Sequence, residues 1–134
     1  MYKILLKGRN DYLYKDIFKF KRYYNMLNVW KRKDTNFANY LLNHGYKNIA
    51  VYGVGELGIT LLGDLYKQNV KVECLLDKYP KKSSFGWVTQ LVRIPKDIDC
   101  VIVTAIFAFA EIKSDIEKYT DAEIISLDDI VCEI

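Results

Sequence analysis

Residues 48–58 read NIAVYGVGELG, a run of strand formers that breaks into three glycines spaced G-x-G-x-x-G. Ile49 to Tyr52 predicts a strand. Over 56–68 the period lengthens, and Leu57, Leu61, Leu62 and Leu65 form one apolar helical stripe. A strand that turns straight into a helix leaves few options. The helix must run back over the strand, so the next strand, 70–76, pairs parallel to the first. The alternation then continues. Residues 78–84 (KYPKKSS) predict a loop, and 85–94 a short third strand. Cys100 to Thr104 is a continuous run of the kind buried on both faces of a parallel sheet. A helix is expected over about 108–119 and a last strand over 123–126. Ser126, Asp128 and Asp129 then cap a closing turn or short helix. The expected class is α/β, a Rossmann-like three-layer fold with a parallel sheet and right-handed crossovers, preceded by N-terminal helices.

The glycine turn carries the chemistry. Gly53 makes the tight turn, Gly55 lets a phosphate approach the backbone, and Gly58 lets the helix pack close on the strand. Val54, Glu56 and Leu57 complete the cradle, with their N–H groups at the positive helix end. Asp77 lies nineteen residues beyond Gly58 and ends the second strand, where a carboxylate accepts from ribose hydroxyls. Lys78 follows it, and with Lys81 and Lys82 forms either an anion-recruiting group or a solvated loop, the second being favoured. Thr104 and Ala105 end the central strand at the crevice, where the Thr104 hydroxyl bonds a ligand or caps the neighbouring backbone. These residues form the expected cofactor site. A competing reading needs no ligand: the glycines serve strand–helix packing alone, and Glu56 satisfies the helix end itself.

The first 46 residues differ in character. They hold ten Lys or Arg against three acids, a balance of +7, whereas 47–134 hold ten against fourteen, a balance of −4. The expected division is a helical, basic-aromatic segment over 1–46 and a nucleotide-binding domain over 47–134. Leu13, Ile17, Phe20, Tyr24 and Leu27 fall on one helical face, extended by Tyr23 and Trp30. Asp34 or Thr35 caps a second helix, with Phe37, Tyr40, Leu41 and His44 on its buried side, and Gly45 ends it in a left-handed conformation. This segment packs on its own domain, forms a homodimer or docks a partner enzyme. A membrane-surface role ranks below that, and nucleic acid ranks last.

One histidine, His44, excludes a multi-histidine metal site, and nothing in the spacing supports a Cys-His dyad. Cys74, Cys100 and Cys132 lack metal-ligand spacing and read as reduced core residues in strand-like runs. No metal site is expected and no catalytic residue is assigned; Tyr52, Glu56 and Glu111 are acid–base candidates by position only. The longest apolar run, 101–110, is too short to span a bilayer, and the charged N-terminus does not read as a signal peptide. The expected location is the cytoplasm.

From Tyr23 onward, the motifs Tyr24-x-x-Leu27-x-x-Trp30, IAVYGVGELG, VECLLDK, DCVIVTAIFAFAEI and IISLDDIV together resemble a recurrent bacterial domain. Similar Rossmann-like domains accompany glycosyltransferases and other enzymes of surface-polysaccharide assembly. The amino-terminal domain of bacterial sugar O-acyltransferases is a looser relative. The resemblance implies a bound nucleotide-linked sugar, with phosphates on Gly53, Gly55 and Gly58 and the ribose or nucleoside on Asp77. NAD(P) is the other candidate ligand, although Glu56 stands where strong dinucleotide binders carry a small residue. The left-handed β-helix of the acyltransferases has no counterpart in this sequence, so acyl transfer is not expected.

Overall fold

The computed structural model describes the backbone of residues 11–32 and 35–133, and the side chains of residues 20–32 and 35–133. The chain divides into two compact units, 1–34 and 35–134. The first unit contains helix α1 (Asp11–Arg32). On its expected apolar face Phe20 and Tyr24 are exposed and stack on each other at 5.9 Å; the side chains of Leu13 and Ile17 lie outside the described residues.

In the second unit, α2 (Phe37–Asn43) precedes β1 (Ile49–Tyr52), α3 (Glu56–Lys67) and β2 (Val72–Leu76). A hairpin of β3 (Lys81–Ser83) and β4 (Gly86–Thr89) follows, then a 3₁₀ turn (Leu91–Arg93) and β5 (Cys100–Val103). A second 3₁₀ turn (Ile106–Ala108) leads into α4 (Phe109–Ile116), β6 (Glu123–Ser126) and α5 (Leu127–Glu133). The six strands form one sheet in the order β3-β4-β2-β1-β5-β6, parallel throughout except for the β3–β4 pair. The chain is therefore α/β with a mostly parallel sheet.

The step from β1 to β2 and the step from β5 to β6 leave the centre in opposite directions. Right-handed crossovers then put α3 and α4 on opposite faces. Phe109, Ile112 and Ile116 of α4 pack with Ala50, Leu76, Val101 and Val103. Strand alternation turns Val51, Leu75 and Ile102 toward the face of α3, whose Leu61, Leu62 and Leu65 are buried. All four residues of β5 are buried, which is why that strand reads as continuously apolar. The carboxylate of Asp99 accepts from the N–H groups of Lys47 and Asn48 at 3.1–3.2 Å, pinning the start of β1 beside β5.

Several expectations need correction. The stretch 78–84 is not all loop. It contains β3, because β4 supplies a pairing partner that its polar composition does not announce. Leu57 is half-buried and stands outside the core stripe of α3. Strand β2 starts at Val72: Asn69 adopts φ +59° and the Val70 N–H closes α3 on Leu65 O, so those residues end the helix. Helix α4 ends at Ile116, and 117–119 tighten into a turn in which Tyr119 N–H bonds Ile116 O. The cap of α2 is Asn36, which accepts from Asn39 N–H at 2.9 Å, rather than Thr35; Asp34 lies outside the described residues. His44 is exposed, donating Nδ1–H to Tyr40 O at 2.8 Å and stacked between Tyr40 and Tyr46. Cys132 is exposed on a helix. Gly45 does take the left-handed conformation, at φ +74°.

Ile102, fully buried in the strand beside β1, gives a direct test of this core. Ile102→Ala should lower unfolding stability by about 2–5 kcal/mol, read as a reduced urea midpoint at unchanged slope.

Candidate functional site

Register alone assembles the site. Tyr52 is paired with Leu76 on one side and with Val103 on the other. The next residue of each strand must therefore emerge at the same edge, and these are Gly53, Asp77 and Thr104. This is the carboxyl edge of the sheet, at the point where the chain departs from the centre in both directions.

Gly53 is buried with φ +96°, and its N–H bonds Leu76 O at 2.9 Å. A Cβ there would collide with the Thr104 hydroxyl. That hydroxyl is itself buried and donates to Gly53 O at 2.6 Å. A Cβ on Gly58 would collide with the same Gly53 carbonyl. Gly53, Gly58 and Thr104 thus form one packed knot, in which each position is constrained by the other two. Asp77 joins it from β2. One carboxylate oxygen accepts from Val54 N–H at 3.1 Å, the other from Lys78 N–H at 2.7 Å, and Lys81 Nζ lies 3.7 Å away.

Gly55 is different. It is the N-cap of α3, exposed, with φ −84° and ψ −155°, and a Cβ built on it meets nothing within 4 Å. No side chain caps the helix there. The N–H groups of Glu56 and Leu57 have no acceptor among the described residues. The Glu56 carboxylate is exposed and does not fold back onto its own helix end. Ala105 is exposed beside Thr104.

A groove of about 320 Å³ opens next to the knot on the face of α4. Tyr52 lines it together with Asp77, Lys78 and Gln90, opposite Asp115 of α4 and Lys118 of the turn that follows α4. It exists because the connection from β4 to β5 is a 3₁₀ turn and not a helix, so this part of the sheet face stays uncovered. Burial, then the charges of Asp77 and Asp115, push the Tyr52 phenol up. Tyr52 is therefore a hydrogen-bond donor at neutral pH and not a base. Sequence spacing pointed to Tyr52 by position, but gave no sign of Asp115 and Lys118, whose place depends on the path of α4. Glu111 does not line the groove.

Among the described residues no three His, Cys, Asp or Glu are grouped to hold a metal. Burial pushes the Cys100 thiol up to about 12, with Asp99 and Glu123 adding to it, and burial also raises Cys74. Neither is a thiolate nucleophile near pH 7.

Searched against models of protein families, curated proteins and solved structures, the chain matches none.

Two measurements check it. Gly53→Ala and Gly58→Ala should each cost about 1–3 kcal/mol by overpacking, whereas Gly55→Ser should be neutral or stabilising by a few tenths of a kcal/mol, about the margin between those two caps. Parallel denaturation curves would separate them. In native protein at pH 7.5 iodoacetamide should modify exposed Cys132 first and leave Cys100 untouched until the chain unfolds, as read by mass spectrometry of the peptides.

Proposed function

We propose that the second unit is a Rossmann-like nucleotide-binding module, taking NAD(P) or a nucleotide-linked sugar and acting in the cytoplasm as an accessory to bacterial glycan metabolism. The observation that carries this reading is the bare N-cap at Gly55. Gly53 and Gly58 are explained by packing, and Thr104 and Asp77 already spend bonds within the protein. None of those four demands a ligand. Gly55 has an ordinary negative φ and open space around it, so the fold does not require glycine there. Ser, Asp or Asn would cap the helix at least as well. A bare cap leaves the first N–H groups of α3 open to an anion, where the helix dipole favours negative charge.

The strand order supports the same reading. Without the antiparallel edge strand, β4-β2-β1-β5-β6 follows the 3-2-1-4-5 sequence of doubly wound dinucleotide folds, with the glycine turn at the switch point. The phosphates would lie on Gly55, Glu56 and Leu57. Asp77 retains lone pairs for a ribose hydroxyl. The rival reading, a ligand-free interaction or dimerisation module, accounts for the knot but not for Gly55.

Thermal unfolding against NAD, NADH, NADP, NADPH, UDP-sugars, CDP and CoA tests the proposal. A ligand at about 100 times its Kd adds roughly 2.7 kcal/mol, a shift of several degrees in Tm. Gly55→Asp should keep the fold, because Asp caps the helix, and should abolish the shift, because its carboxylate occupies the anion site. No shift with any nucleotide would sink the reading.

A further inference from the structure

Residues 78–96 contain five cations, Lys78, Lys81, Lys82, Arg93 and Lys96, and no acid, inside a half of the chain that is acidic overall. The structure folds this stretch into the edge hairpin and the 3₁₀ turn after it. Three aromatic side chains stand out from it: Tyr79 is 68% exposed, Phe85 39% and Trp87 70%. These fractions matter because a core strand of this sheet would cover such rings. Trp87 is paired with Lys82 across the hairpin, and Phe85 sits in its two-residue turn. None of the three lines the groove beside the glycine turn.

We propose that this hairpin is a docking surface for an anionic membrane leaflet, with the aromatic rings entering the headgroup region and Lys78, Lys82 and Arg93 meeting lipid phosphates. Trp and Tyr flanked by Lys is the residue set that prefers the interface between water and hydrocarbon. The other polyanions fit less well. Strand addition by an acidic peptide is limited, because β3 offers three residues, two of them lysines, and follows Pro80, which lacks an N–H. A small ligand cannot cover rings that project outward. A fluid, negatively charged surface accommodates both the projecting rings and the cations. Helix α1, in the other unit, separately shows exposed Phe20 and Tyr24 around Lys21.

The test is co-sedimentation of the full chain with vesicles of phosphatidylcholine alone and of phosphatidylcholine mixed with phosphatidylglycerol. Binding is expected only to the mixed vesicles, weakening as salt rises. Loss of each cation should weaken it about five-fold, so Lys82→Glu with Arg93→Glu, both exposed and outside the groove, should nearly abolish it. The wild-type fluorescence should shift to the blue on binding, and this shift should be lost in Trp87→Phe. Circular dichroism and the nucleotide thermal shift of these surface variants should match wild type. Absence of binding, equal binding to neutral vesicles, or binding unchanged in the double variant would overturn the proposal. So would capture of a single-stranded oligonucleotide or polyglutamate by a protein that ignores the vesicles.

Discussion

The carbonyl of Gly53 organises the carboxyl edge of the sheet. A positive φ at Gly53 turns that oxygen inward, where an unmet acceptor would cost about 1–3 kcal/mol, and the Thr104 hydroxyl meets it at 2.6 Å. The same carbonyl sits so close to Gly58 that only a hydrogen fits on the facing side of its Cα. These two contacts set how closely α3 approaches the sheet and where its first turn points. Gly55 and Glu56 at its start are exposed, so the helix begins at the surface and not in the core. A threonine whose hydroxyl first looks like a ligand contact is thus a positioning residue for the turn.

Charge is distributed in layers around that edge. Asp77 is tied to Val54 and Lys78 through backbone N–H groups, so its carboxylate braces the turn from the neighbouring strand. The groove beyond it brings Asp77 and Asp115 together with Lys78 and Lys118, a balanced set around the Tyr52 ring. Farther out, the hairpin carries cations without acids. The groove and the exposed hairpin rings both follow from connections that contain no α-helix. Two connections that doubly wound folds fill with helices, from β2 to its outer neighbour and from β4 to β5, are here a hairpin and a 3₁₀ turn. The first leaves aromatic side chains standing at the edge. The second leaves a strip of sheet face open.

Much of this was legible in residue order. Continuous apolar runs located β1 and β5, and a 3.6-residue period located α3, each to within a residue or so, because strands buried on both faces and a helix buried on one leave these patterns directly. Gly53 and Gly58 were legible as a pair because close approach demands small residues at set intervals, and Asp77 because it ends an apolar strand. Elements defined by a partner were harder to read. Strand β3 is polar and exists through pairing with β4. The start of β2 was misplaced because Val70, whose side chain suits a strand, instead closes the preceding helix on Leu65 O after the left-handed Asn69.

By itself, the sequence determined an alternating α/β order, a strand–glycine–helix turn and an acidic residue at the end of the second strand, all set by local sterics and periodicity. Only the tertiary structure decided what each glycine is for. Gly53 and Gly58 are held by atoms about fifty residues distant in the chain or by the turn's own carbonyl, while Gly55 touches nothing. Spacing records that three small residues are present. Whether each one makes room for the protein or for something else depends on what lies opposite, and strand register sets that.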